Sequence, residues 1–293
     1  MTTLIDTVLP LLVVFIMTVV GMDLRLEDFR RMRQYPVLVP GIVIGQWILL
    51  TLVAGLAGRL LDLPPEVTAG ALLVAAAPVA ALSGYYTQLA GGHLALAVTV
   101  AAVSNVLAVV ITPLIATVGF RWFLDAGGAF ELPLGKVAQQ TVAGLLLPLL
   151  AGMVVRYRAA AWTERWRRPL QGLGVIAIVA VLAMVVVNQF AAIRAQFGIL
   201  LGASVLFTLA MLTAGLMVAK IATRSGKDQR ALVWGFPARN VAVAALIATS
   251  AMGQAAMASF IAVLFATQVA VLIPLALWLR RGSDLGPNQG SAH

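Results

Sequence analysis

The sequence predicts an all-α polytopic membrane protein, and three observations carry that prediction. Of its 293 residues, 61 per cent are hydrophobic and 11 per cent charged, against about 25 per cent charged in soluble domains. The apolar residues gather into long uninterrupted runs. The basic residues gather in alternate connections between those runs.

Nine runs are long enough to cross a bilayer: residues 7–22, 36–58, 66–90, 94–118, 134–155, 170–190, 195–221, 229–251 and 256–279. The first is near the lower limit of about 17 residues. No Lys or Arg precedes Arg25, so this run lacks the basic start of a signal peptide and reads as a retained helix. An N-terminus outside places Arg25, Arg30, Arg31 and Arg33 in the cytoplasm, followed by Arg156, Arg158, Arg165, Arg167 and Arg168. Lys220, Arg224, Lys227, Arg230, Arg280 and Arg281 join them, so fifteen of the twenty basic residues lie inside. Arg59, Arg121, Lys136 and Arg194 lie outside. That asymmetry is the positive-inside signature. It explains the net charge of +9 as an insertion signal rather than a nucleic-acid surface. Residues 1–281 form one transmembrane domain, and 282–293 read as a disordered cytoplasmic tail. The expected location is a bacterial inner (plasma) membrane.

The twentieth basic residue is Arg239, within the apolar run 229–251. A charge at bilayer depth costs about 2.5–3.5 kcal/mol, which marks it as a functional candidate. Pro237, two residues earlier, removes a helical hydrogen bond and favours a break. All eleven acids fall in loops, tails or first turns, and the only histidines are His93 and His293. Cysteine is absent. The sequence therefore predicts no metal centre, no cofactor and no enzyme, since nucleophile, base and paired intramembrane carboxylates are all missing.

An internal repeat adds to this. Pro78 and Pro113 flank one unit, Pro237 and Pro274 another, at separations of 35 and 37 residues. The first unit enters the membrane from outside and the second from inside. The expected architecture is an inverted-repeat transporter fold with two discontinuous helices broken at Pro78 and Pro237 and crossing near the midplane. The six tryptophans read as interface anchors.

The chain resembles the bile acid:sodium symporter family over nearly its whole length. The resemblance rests on Gly21-Met22-Asp23-Leu24, Leu26, Asp28-Phe29 and Pro36, on Gln46, on Pro78 and Ser83, on Thr87, Leu89, Ala90 and the turn Gly91-Gly92-His93, and on Asn240. It implies nine transmembrane helices, with the family's first helix missing. It also implies a panel of about 7–22, 134–155 and 170–190 against a core of about 36–118 and 195–279. The substrate lies between them and is an amphipathic organic anion. Polar groups of the family's sodium sites are replaced here by Ala81, Gly84, Ala97, Ala101, Gly235 and Arg239.

These departures lead to the expected function: a secondary transporter of organic anions working by alternating access, without sodium, with Arg239 replacing the bound cation. The alternative keeps sodium coupling for a bile acid-like or small carboxylate substrate. An alternative of another class is a ligand-binding membrane sensor on a transporter scaffold. Substrate contacts are expected at Arg239, Asn240, Ser83, Gly84, Asn105, Thr267 and Gln268. If sodium is used, its oxygens come from Gln46, Ser83, Ser104, Asn105 and Asn240. The partners are a small organic anion and the lipid bilayer, with the protein a monomer or homodimer.

Overall fold

The computed structural model describes residues 2–124 and 133–284, and every regular element in them is helical. Helices α1 (Thr2–Asp23), α3 (Leu38–Leu60), α6 (Leu94–Leu124), α9 (Ala160–Asn188), α11 (Phe197–Ala222) and α14 (Ala255–Asp284) are the long ones. Helices α7 (Leu134–Thr141) and α8 (Leu147–Arg158) continue one another through a wide turn over Val142–Leu146. Among the described residues, six helices are long and apolar enough to span a membrane. A seventh follows if Val8–Asp23 is counted with Leu26–Gln34, which carries α2 (Leu26–Arg31), across a 66° bend. The protein is thus an all-α integral membrane protein.

Two of the nine expected runs are not single helices. Run 66–90 divides into α4 (Pro65–Ala76) and α5 (Leu82–Leu89). Run 229–251 divides into α12 (Gly226–Val233) and α13 (Val241–Leu246), the latter extended by a wide turn to Ala251. The helical pieces Pro65–Ala76 and Val241–Ala251 are each too short to cross alone. Helix α14 continues to Asp284, so residues 282–284 of the expected tail are helical; residues 285–293 lie outside the described residues.

The helices pack as two groups. In one, α1 lies against α8 and α9. Gly21 and Gly152 bring the first two backbones together: a Cβ at Gly152 would fall 2.1 Å from the Thr18 carbonyl oxygen, and one at Gly21 would fall 2.1 Å from that of Leu149. Small residues let helices approach in lipid, where packing rather than hydrophobicity drives association. In the other group α3, α4 and α6 pack together and meet α11 and α14. The short α10 (Phe190–Ala195) links α9 to α11.

Candidate functional site

The two helix breaks meet. Ala77 is extended, at φ −65° and ψ 153°, as the residue before a proline must be. Val79 and Arg239 then pair as an antiparallel bridge. The Ala80 amide donates to the Ala238 carbonyl and the Asn240 amide to the Pro78 carbonyl, both at 2.8 Å. Each broken helix therefore satisfies part of the other's exposed backbone, which lipid cannot do.

The rest of the freed backbone is met by side chains. Ser104 Oγ accepts from the Val79 amide at 3.0 Å, and Asn105 Nδ2 donates to the Val79 carbonyl at 3.0 Å. Adjacent residues of α6 thus pin one extended residue at both ends. At the end of α4, whose last carbonyls lack helical partners, Trp47 Nε1 and Thr112 Oγ1 donate to the Ala76 carbonyl at 3.0 and 2.7 Å. Arg239 reaches across to the carbonyls of Ala75, at 3.1 Å, and Ala77.

Arg239 is therefore a cap on a half-helix. It is 2 per cent exposed, stacks 5.9 Å above the centre of the Trp47 ring, and donates to Gln46 Oε1 at 3.2 Å. A cation at a helix C-terminus complements the macrodipole. No carboxylate helps it: among the described residues the only buried acid is Asp28, held by the Arg25 amide at 2.9 Å and Arg31 at 3.1 Å. Asn240 caps the second break, accepting from the Val243 amide at 3.2 Å and donating to Met17 Sδ of α1 at 3.4 Å.

A cavity of about 650 Å³ lies between α1 and α9 on one side and α5 and α6 on the other. Its deep end holds Ser83 and Gly84 in the first turn of α5 and Asn105 on α6; its mouth holds Asp23, Arg25, Asp28, Arg31 and Gln171. Walls of Ile16, Val19, Val98, Val175 and Ile178 join the two ends. Ser83 Oγ and Asn105 Oδ1 are buried and without hydrogen-bond partners. Two residues with an unpartnered side-chain oxygen, Ser83 and Asn105, thus line one cavity together with the first turn of α5.

The expected site residues separate accordingly. Ser83, Gly84 and Asn105 line the cavity. Gln46, Ser104, Arg239 and Asn240 build the crossing beneath it and are not in its lining. Thr267 and Gln268 are buried on α14 away from the cavity: Thr267 bonds back to the Val263 carbonyl at 2.9 Å, and Gln268 Nε2 has no partner. The rotation of α14 decides this, since that helix is apolar on most faces and its sequence does not fix which side turns inward. One expectation is corrected. Trp47 and Trp234 are not interface anchors, since both are fully enclosed, at 1 and 0 per cent exposure. Trp47 and Thr112 were missed as caps; the signal was their position beside Gln46 and Pro113. No cluster of three or more His, Cys, Asp or Glu side chains suited to a metal exists among the described residues.

Residues 10–196 match the Sodium Bile acid symporter family. The chain is 33 per cent identical over 172 residues to the Bacillus subtilis protein named Uncharacterized sodium-dependent transporter YocS, covering 58 per cent of this chain and 51 per cent of that one. It is 35 per cent identical over 135 residues to the Arabidopsis thaliana protein named Probable sodium/metabolite cotransporter BASS1, chloroplastic, covering 45 per cent of this chain and 31 per cent of the relative. A rice protein of the same description, BASS2, is 25 per cent identical over 218 residues, covering 74 and 51 per cent. The chain spans about half or less of the length of these relatives. With well over half of it inside the matched region, the chain belongs to the Sodium Bile acid symporter family, a family of transporters rather than enzymes.

Proposed function

We propose that this protein is a secondary transporter that moves a small organic anion by alternating access, coupled to sodium. The observation that carries the reading is the amphipathic cavity, apolar in its walls and ending at the N-terminus of α5. A helix N-terminus favours a carboxylate or sulfonate, and the Ser83 hydroxyl stands beside it without a partner. The anionic group sits there, with the apolar body of the solute against α1 and α9. Sodium coupling is supported by the names of the relatives, sodium-dependent transporter and sodium/metabolite cotransporter. Of the five candidate ion ligands, Asn105 Oδ1 and Ser83 Oγ keep their oxygens uncommitted.

In this reading the chain crosses the membrane nine times, the two broken units are inverted relative to each other, and the N-terminus lies outside a bacterial inner membrane. The panel of α1, α7–α8 and α9 rocks against a core of α3–α6 and α11–α14. The crossing stays inside the core, so access alternates without breaking the backbone pairing.

One observation favours a second reading, sodium-independent transport. The Arg239 guanidinium already takes the Ala75 and Ala77 carbonyls at the end of α4 and Gln46 Oε1, doing the electrostatic work of a bound cation. The relatives' names support the first reading over the second. Uptake of a panel of radiolabelled organic anions into proteoliposomes, with and without an inward sodium gradient, tests both. Accumulation that saturates with sodium supports coupling; equal fluxes in sodium and potassium support the second reading; no flux of any anion removes the transport proposal.

A further inference from the structure

A glycine inside a helix is unfavourable relative to alanine, and most of the glycines in these helices have a visible reason. At Gly21 and Gly152 a Cβ would strike the neighbouring backbone at 2.1 Å. Gly172, Gly198 and Gly202 have nothing within 4 Å of an added Cβ, and all three are exposed. Gly174 fits neither group. Among the described glycines it alone is buried and yet has no atom within 4 Å of an added Cβ.

The open space beside Gly174 is the cavity. Helix α9 lines it with Gln171, Gly174, Val175 and Ile178, a spacing that puts all four on one helical face. Gln171 is the mouth residue, held to Asp23 at 2.8 Å. Gly174 lies roughly 4.5 Å further in along the helix axis, and the branched side chains of Val175 and Ile178 follow it. The missing side chain therefore leaves a recess in an otherwise aliphatic wall, one turn inside the mouth. We infer that Gly174 is a specificity-determining residue of the carrier: its recess receives the broadest part of the solute's apolar body and sets the largest girth that passes α9. The inference rests on the cavity being the solute path, as proposed above.

Proteoliposomes in sodium are offered an anion panel graded in girth, from the linear hexane-1-sulfonate to the bicyclic camphor-10-sulfonate. Gly174→Val fills the recess. For the broadest anion the wild type carries, kcat/KM falls at least about tenfold, through KM, while that for the thinnest is unchanged. Gly172→Val makes the same substitution at an exposed position of α9 and leaves both anions as in the wild type. An equal loss for thin and broad anions in Gly174→Val overturns the inference, as does a loss matched by Gly172→Val or no loss at all. If Gly174→Val does not fold, Gly174→Ala decides. It adds one carbon where nothing lies within 4 Å and lowers the broad-to-thin ratio in the same direction; an unchanged ratio overturns the inference. All these failures leave wild-type transport intact. Absence of flux for every anion in the wild type instead removes the transport reading, and the inference with it.

Discussion

Replacing Arg239 by methionine keeps a long unbranched side chain against Trp47 while removing every donor. Three acceptors then lose their partner: the carbonyls of Ala75 and Ala77 and Oε1 of Gln46. Each orphaned buried acceptor costs about 1–3 kcal/mol, a gross loss of about 3–9 kcal/mol. Relief of the guanidinium's own burial, about 2.5–3.5 kcal/mol, offsets part of it. The midpoints of these two ranges leave a net destabilisation of about 3 kcal/mol. At about 2–4 °C for each kcal/mol in a chain of this size class, Tm falls by about 6–12 °C. Tryptophan fluorescence during heating in detergent measures it. Arg239→Lys recovers part of the loss, because an ammonium keeps the charge but lacks the fork that reaches two carbonyls. A methionine variant that melts within about 2 °C of the wild type refutes the capping argument, because the carbonyls would then have no need of the guanidinium.

Other substitutions test the neighbouring claims. Ser83→Ala removes a hydroxyl that has no partner, so stability changes by less than about 0.5 kcal/mol while initial anion uptake falls; unchanged uptake takes Ser83 out of the transport path. Trp47→Phe and Thr112→Val each leave the Ala76 carbonyl one donor. The double variant leaves it none, and loses about 1 kcal/mol more than the sum of the singles in a thermodynamic cycle. Strict additivity there would contradict the shared cap. Gly152→Ala forces α1 and α8 apart, costing about 1–3 kcal/mol, whereas Gly45→Ala, with nothing within 4 Å of the added carbon, is the neutral control; equal melting of the two contradicts the close crossing.

The helix breaks were legible because proline acts locally. Pro78 and Pro237 each remove an amide whatever surrounds them, and the structure breaks at both. The exceptional character of Arg239 was legible for a similar reason, since an apolar run with one charge is visible in the text. Its target was not. The bonds to Ala75 and Ala77 link residues more than 160 positions apart, and only the register of the crossing decides which carbonyls the guanidinium meets. The place of Asn105 was hidden too: its amide nitrogen pins Val79 while its oxygen is left without a partner in a residue that lines the cavity, a division that depends on rotamer. Trp47 misled because tryptophan's average preference is the membrane interface, while this one spends its N–H on a half-helix carbonyl. That Thr267 and Gln268 fall outside the cavity lining was not legible either, because helices buried or lipid-covered on all sides carry little periodic signal to fix their rotation.

The chain contains no cysteine, so one introduced thiol reports its own surroundings. Gly84 lines the deep end of the cavity, and an added Cβ there makes only ordinary contact, 3.4 Å from Leu94 Cδ1. Labelling of Gly84→Cys by a membrane-impermeant maleimide in vesicles, with and without a transported anion, reads the cavity directly. The thiol reacts through the aqueous mouth, and the anion protects it in proportion to its occupancy. A thiol that no impermeant reagent reaches from either side, or one that reacts equally fast with the anion bound, would contradict the central claim.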